Sequence, residues 1–419
     1  MSTIKSSSED LTLNADGSNE VKFQINAVEK ASINSSGLFT STTIDATALT
    51  GNLPAISGAS LTGLPAGGDL RNYFIDGGHT QWPEGTGATT FASDYQAGGH
   101  PLFIHYNITG TGTLTTERST DVPTIAASGY QSQYSQLIKC TGTDASVGTS
   151  SQASMRYHMT GTDFAHLHQQ EITISFWAKT SAQNSGHKYF WTLINSGNNR
   201  TYSHSFSPTS TWTKFSHTLT LDTSGTWLFT EADVGMKFQI NLAIGPEYDD
   251  ATEDTWTGTF ELHDGTISNF TDHTSNEFYF TQIQIVKGSS SPDFTSPPIA
   301  TVRDQMDYYV QRYEYDTLST EAIGPMGSIG SGTLAYYFFF YRNKLRKLPV
   351  ITSSAASSFT AGDGGALKVG SAISFGYTGT NATYCLHTHS DTNWTTVGRS
   401  AYLYRSSTDT CWIMLDARH

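Results

Sequence analysis

The chain has 419 residues, only 14% of them charged, and a formal net charge of −14. Ordinary soluble domains carry about 25% charged residues, and here Thr, Ser, Gly, Asn and aromatics stand in their place, without the long Ala/Leu/Glu/Lys runs that build helices. The composition points to an all-β chain, with Thr and aromatics on pleated faces and Gly, Ser and Asn in turns, and the acidity argues against a nucleic-acid partner.

Residues 1–68 alternate apolar and polar positions: Leu11 and Leu13, then Val21, Phe23 and Ile25, then Ile33. Each group reads as a short strand with one apolar face, and Asp16-Gly17 and Ser36-Gly37 supply turns. Ala48-Leu49-Thr50-Gly51-Asn52-Leu53-Pro54 is echoed by Ser60-Leu61-Thr62-Gly63-Leu64-Pro65, like successive corners of a winding chain. So small a segment, with Phe23 and Phe39 as its only large side chains, does not build a core alone. Its faces call for copies of the same segment around a symmetry axis, and the missing heptad rules out a coiled coil.

Residues 69–302 carry strands at short spacing with turns between them, the pattern of a β-sandwich or jelly roll. Ile172 to Ala178, Tyr189 to Ile194, Trp212 to Leu221, Met236 to Ile244, Thr257 to Leu262 and Phe278 to Val286 are the clearest. Trp177 and Trp212, inside strands, read as core. Residues 303–419 form a third region, a small C-terminal β domain. Val302 to Tyr315 reads as one short helix with Tyr308, Tyr309 and Arg312 on one side. Strands follow at Leu334 to Tyr341, Leu348 to Thr352, Ala372 to Tyr377, Ala382 to His389, Ala401 to Tyr404 and Cys411 to Leu415. The Leu334 to Tyr341 run is the longest apolar stretch and reads as a buried strand.

Cys140, Cys385 and Cys411 match no zinc or redox spacing and read as small buried hydrophobes; a Cys385–Cys411 pair is open but not required. Met1 to Ser6 has no apolar core for a signal peptide, and no run reaches the roughly 20 residues that span a bilayer. The expectation is synthesis in a cytoplasm, without membrane insertion.

Two stretches resemble a known family. Ile4 to Leu13, Phe39 to Ala46 and Ile56 to Gly63 are similar to the leaders of bacteriophage tail fibres, especially those of marine phages. Ile174-Ser-Phe-Trp-Ala-Lys179, Thr211-Trp212, Leu242-Ala-Ile-Gly245 and Phe278 to Gly288, followed by Ser291-Pro-Asp-Phe294 and Tyr309-Val-Gln-Arg-Tyr313, resemble the jelly-roll domain of the same fibres. The family more often has Glu at Val286 and Cys at Val310. The last hundred residues resemble the family only loosely, around Arg346-Lys-Leu-Pro-Val350. The resemblance implies an N-terminal intertwined β stalk that attaches to other tail or virion proteins, a homotrimer, and a virion location after synthesis in the host cytoplasm.

Chemistry is sparse. No nucleophile motif such as G-x-S-x-G, phosphate loop or short-coil repeat of a polysaccharide-degrading β-helix appears, so no catalytic residue and no cofactor is assigned. His166-x-His168 and His387-x-His389 would each share a strand face, and three copies would offer six imidazoles to an axial metal; the plainer reading is ordinary pairs of surface or edge histidines, and no metal ligand is assigned. Glu247 to Asp254 is acidic but lacks a calcium-loop spacing. Aromatics near turns can stack on a sugar ring while polar neighbours bond its hydroxyls. The receptor-binding candidates are Trp394, Tyr402, Tyr404 and His387 in the last domain, and Trp227, Trp256 and Tyr248 in the middle one. The expected function is host attachment through a surface glycan or protein; the alternatives are a purely structural virion adaptor and a carbohydrate-binding or carbohydrate-active protein.

Overall fold

The computed structural model describes residues 21–26, 28–34, 36, 39–41, 71–91, 94–97, 102–108, 112–315, 326–362, 367–376, 378–389, 397–406 and 410–418. The chain divides into two compact units, Met1–Leu64 and Pro65–His419.

In the first unit β1 (Val21–Ile25), β2 (Val28–Ile33) and β3 (Phe39–Ser41) form an antiparallel meander. Phe23, Ile25, Val28 and Ile33 are all exposed, so among the described residues the meander presents apolar side chains to solvent. The strand expected at Leu11 and Leu13, the Asp16-Gly17 turn and both Leu-Thr-Gly corners lie outside the described residues.

The second unit is all-β. Its larger part holds β4 (Thr89–Phe91), β5 (Asp94–Ala97), β6 (Phe103–Ile108), β7 (Thr113–Ser119), β8 (Ser135–Gly142), β9 (Gln152–Thr160), β10 (Glu171–Thr180), β11 (Tyr189–Asn195), β12 (Thr201–Phe206), β13 (Thr213–Thr220), β14 (Val234–Ile244), β15 (Trp256–Thr257) and β16 (Glu277–Lys287). They form two antiparallel sheets, ordered β13-β10-β16-β8-β7-β4 and β15-β12-β11-β14-β9-β6-β5. One core fills the space between them: Ile172, Ile174, Phe176 and Ala178 of β10 meet Trp191, Leu193, Phe238 and Ile240 of the facing sheet. This is the period-two pattern of a strand with one face on a core.

Within β10 the core phase falls on Phe176 and Ala178, so Trp177 points the other way and is half-buried, paired in register with Lys214 and Thr281. Trp212 is also half-buried, just before β13. Neither is the core residue that a place inside a strand suggested. In β16 the phase changes midway: Phe278 and Phe280 are core, then Ile283 and Ile285. Gln282 absorbs the extra residue at φ +53°, and its buried amide donates to Ser128 Oγ at 3.0 Å and Ser132 Oγ at 2.8 Å. Beyond this bulge the edge of β16 is bonded by an earlier loop: Ile283 N donates to Gly77 O at 3.0 Å and Tyr73 N to Ile285 O at 2.9 Å. The approach is so close that a Cβ on Gly77 would stand 2.0 Å from Ile283 O.

The helix expected from Val302 to Tyr315 is shorter and earlier. The α-helix runs Ile299–Asp307 and buries Val302 and Met306, one turn apart. Val310–Tyr315 is instead β17, paired along its whole length with β26 (Cys411–Asp416). Arg312 lies over the Trp412 ring, 4.7 Å from its centroid. Local periodicity does not see a pairing partner a hundred residues away, and that pairing wins.

The remaining strands are β18 (Gly327–Ser331), β19 (Leu334–Phe340), β20 (Val350–Ser353), β21 (Phe359–Gly362), β22 (Leu367–Val369), β23 (Ala372–Gly376), β24 (Ala382–Thr388) and β25 (Ser400–Arg405). They form a seven-stranded sheet, β22-β21-β25-β18-β19-β24-β23, and a three-stranded one, β17-β26-β20. A second core joins them through Tyr337, Phe339, Cys385, Leu403, Ile413 and Leu415. Cys140, Cys385 and Cys411 are buried free thiols; burial pushes them up to about 11, 12 and 12, where thiolate chemistry is suppressed. Among the described residues no helix is long and apolar enough to cross a membrane.

Candidate functional site

Among the described residues, a group of metal-capable side chains lies at one edge of the sandwich, where β12 of one sheet faces β13 of the other. Along β12 the inward positions are Tyr202, His204 and Phe206; along β13 they are Phe215, His217 and Leu219. Two histidines therefore occupy places that the strand period reserves for core side chains. Their rings lie tilted by 31° with centroids 3.9 Å apart, beside Trp191 at 5.3 and 5.7 Å.

Asp254, from the loop before β15, caps the pair. His204 Nδ1 and Asp254 Oδ1 are 2.6 Å apart, and His217 Nε2 lies 3.5 Å from the same carboxylate. The Tyr202 hydroxyl stands 2.8 Å from His217 Nε2 and 3.4 Å from Asp254 Oδ1. Glu253 accepts from Ser205 N at 2.9 Å and from Ser205 Oγ, with Lys188 Nζ at 3.6 Å. Burial and the neighbouring His204 hold His217 below the ordinary imidazole range, against the opposing pull of Asp254 and Glu253. Burial first, then Asp254, pushes the Tyr202 hydroxyl up. Much of the acidic stretch from Glu247 is thus committed: Glu253 and Asp254 serve Ser205, Lys188 and the two histidines.

Two of the sequence candidates flank this group. Trp256 is half-buried, donates Nε1 to Thr220 O at 2.9 Å and packs 5.4 Å from Tyr202. Trp227 meets Trp256 edge-on at 5.9 Å but is buried, stacked on Phe164 at 4.9 Å, with Nε1 donating to Ser224 O at 2.7 Å. Because its indole N–H finds a carbonyl, the ring can be covered, so Trp227 offers no stacking face. Tyr248 sits apart, against Phe260 at 5.5 Å.

In the smaller sheet pair, Tyr402 and Tyr404 are half-buried on one face of β25, 6.2 Å apart. His387 is fully buried at an inward position of β24, with Nε2 3.4 Å from Phe359 O; it presents no surface to a ligand. His389 is buried too, so these are not surface or edge histidines. Trp394 lies outside the described residues. His166 and His168 are not on a strand: they follow a short helix, Gly161–Phe164, and Leu167 between them is core. His168 packs against Phe164 at 5.6 Å and Phe229 at 5.0 Å.

Sequence reading missed His204 and His217, although their phase among apolar residues of two strands is visible in the sequence. It also missed a polar-aromatic cluster on the outer face of the other sheet. There Trp212 Nε1 donates to Asp121 Oδ1 at 2.9 Å, Lys179 pairs with Asp121, and Lys179 Nζ lies 4.6 Å from the Tyr279 ring centre. The outward face of β19 is the third feature: Phe338 is 59% and Phe340 69% exposed, beside Tyr384, whose ring stacks on Tyr336 at 5.2 Å.

No protein-family model and no curated protein matches the chain. Among solved structures it is similar to the enzymatically active domain of tailspike protein 4 of bacteriophage CBA120, at 8% identity over 52% of this chain and 21% of that one, TM-score 0.27. It is similar to the CBM22-1 xylan-binding domain of Paenibacillus barcinonensis Xyn10C, at 13% identity over 49% of this chain and 99% of that one, TM-score 0.25. It is also similar to TmCBM61, solved with β-1,4-galactotriose, at 9% identity over 52% and 99%, TM-score 0.22. The chain spans about a fifth of the tailspike structure's length, and at these TM-scores the neighbours carry no weight in assigning a function.

Proposed function

We propose that this chain is a homotrimeric, virion-attached fibre protein that binds a host-surface glycan or protein and does no covalent chemistry. Residues 1–68 attach to other virion proteins and begin the stalk, 69–302 form the sandwich and 303–419 the tip.

The observation that carries this reading is the conflict between β19 as sequence and β19 in a single chain. A continuous apolar run is the signature of a strand covered on both faces. In one chain only Ala335, Tyr337 and Phe339 are buried, while Phe338 and Phe340 face solvent. Exposed apolar faces of this kind mark interaction surfaces, and a second copy of the chain is always present at matching concentration. The exposed apolar side chains of β1 and β2 make the same demand in the N-terminal unit. Three copies would also multiply any weak site into avid attachment. The half-exposed Trp212, Tyr279 and Trp256, each beside polar groups, supply the sugar-stacking surfaces such display requires.

Light scattering of the full chain tests the assembly: a particle of three chains is expected, and a monomer at micromolar concentration overturns it. Glycan-array binding, compared between the intact chain and Trp212→Ala, tests the recognition arm; undiminished binding moves the site away from that face.

A further inference from the structure

We propose that His204, His217 and Asp254 bind one divalent transition ion of the zinc class, which ties the two sheets of the sandwich together at their shared edge. Among the described residues these three bring one ligand atom each within 4.8 Å of the others. They come from three elements: β12 in one sheet, β13 in the other, and the loop before β15. An ion held by all three therefore cross-links both layers.

The donor set selects the ion. Two imidazoles and a carboxylate suit zinc, nickel and cobalt, whereas calcium and magnesium take oxygen ligands. Zinc bonds of about 2.0–2.1 Å place tetrahedral ligand atoms roughly 3.3 Å apart. His217 Nε2 and Asp254 Oδ1 already stand at 3.5 Å, and the 2.6 Å between His204 Nδ1 and Asp254 Oδ1 needs to open by well under 1 Å. Asp254 is 46% exposed as a side chain, so the ion enters from solvent and keeps a fourth position for water. The Tyr202 hydroxyl, now shared between His217 and Asp254, would keep its bond to the carboxylate and orient it, the usual role of an outer-shell donor. Glu253, 4.0 Å from His204 Nδ1 and fixed by Ser205, adds a second negative charge. With Asp254 it balances the charge of the ion.

The experiment uses the full chain, stripped with chelator and titrated with zinc chloride, read by calorimetry and by thermal melting. One zinc per chain and a saturable rise in melting temperature are expected, with no rise from calcium chloride at equal concentration. His204→Ala and His217→Ala should each weaken zinc binding more than tenfold with an unchanged circular-dichroism spectrum, while His166→Ala should bind as the parent does. Zinc binding that survives in a folded His204→Ala, His217→Ala double variant overturns the proposal, as does absence of binding at micromolar zinc. If the double variant fails to fold, cobalt in the parent chain decides. Four-coordinate cobalt with nitrogen ligands gives an intense visible spectrum; the pale spectrum of hydrated cobalt overturns the site.

Discussion

Arg418, 2% exposed, donates Nη2 to Glu84 Oε1 at 2.5 Å across 334 residues of sequence. Asp416 completes the cage, accepting from Arg418 Nε at 2.9 Å and Nη2 at 2.6 Å. The end of the chain is thereby fixed to the loop that opens the sandwich. Burial by itself would lower the guanidinium, but these two acids together outweigh it and raise the group above its ordinary range. Removing one partner of a buried pair strands the other and costs about 3–5 kcal/mol. Arg418→Ala should lower the urea midpoint accordingly, whereas Glu84→Gln, which keeps an acceptor oxygen, should lower it by less than half as much.

Arg346 also ties the last residues to the sandwich, at a different loop and with carbonyls rather than acids as its hydrogen-bond partners. Its Nη1 donates to Ala417 O and Arg418 O at 3.1 and 3.2 Å, and its Nη2 to Ala232 O and Asp233 O, both at 2.8 Å. Four carbonyls of two distant segments accept from one planar fork, and lysine does not reproduce that geometry. Arg346→Lys should split the thermal unfolding of the parent into two transitions, one for each core. A single transition at the parent temperature would show that the fork does not couple them.

Strands whose apolar period is local were legible. Ile172 to Ala178 can be read directly, because alternation reports a face on a core; Tyr189–Asn195, buried at every position, shows instead as a nearly continuous apolar run. What was not legible depends on partners far along the chain. Val310–Tyr315 is a strand because β26 pairs with it, and Gln282 bulges because an earlier loop docks beside it. Trp177 was misread because an apolar run hides which of its two phases is buried. The His204–His217 pair was legible in phase but not in proximity, since nothing in the sequence sets β12 opposite β13.

The Gly77 contact separates two ways in which a glycine is required. At Gly77 any side chain meets the backbone of β16, with Ile283 O 2.0 Å from where a Cβ would sit. Gly85 has φ +101° and nothing within 4 Å. Gly77→Ala forces backbone displacement and should cost about 1–3 kcal/mol. Gly85→Ala meets only the left-handed penalty of about 1–2 kcal/mol. The two differ most in hydrogen exchange: Gly77→Ala should expose the Ile283 and Ile285 amides, and Gly85→Ala should leave them protected.

Acid should weaken the C-terminal sheets through His387. Desolvation pushes this imidazole down to about 4, with Phe359 O opposing the shift and His389 adding to it. The unfolded state, with an ordinary value of about 6.5, binds the proton first as pH falls, so stability drops between roughly pH 6.5 and 4 and levels below that. At 1.36 kcal/mol per unit the loss is about 3 kcal/mol. His387→Gln keeps a donor toward Phe359 O and has no proton to gain. Urea midpoints at pH 7 and pH 4 should therefore differ less in this variant than in the parent; an identical difference would remove His387 from the acid response.

The outward face of β19 makes the last prediction. Phe338 and Phe340 contribute nothing to the core beneath them, which is built from Ala335, Tyr337 and Phe339. Replacing both with serine should leave the single chain folded, with surface changes costing within about 0.5 kcal/mol. In the proposed trimer the same change removes two aromatic rings from the interface, each worth about 1.5–3 kcal/mol if fully buried there. In a trimer that loss is counted on every copy. Phe338→Ser, Phe340→Ser should therefore shift the sedimentation profile from three chains toward one at micromolar concentration while circular dichroism stays unchanged. A double variant that remains trimeric would place the interface on another face.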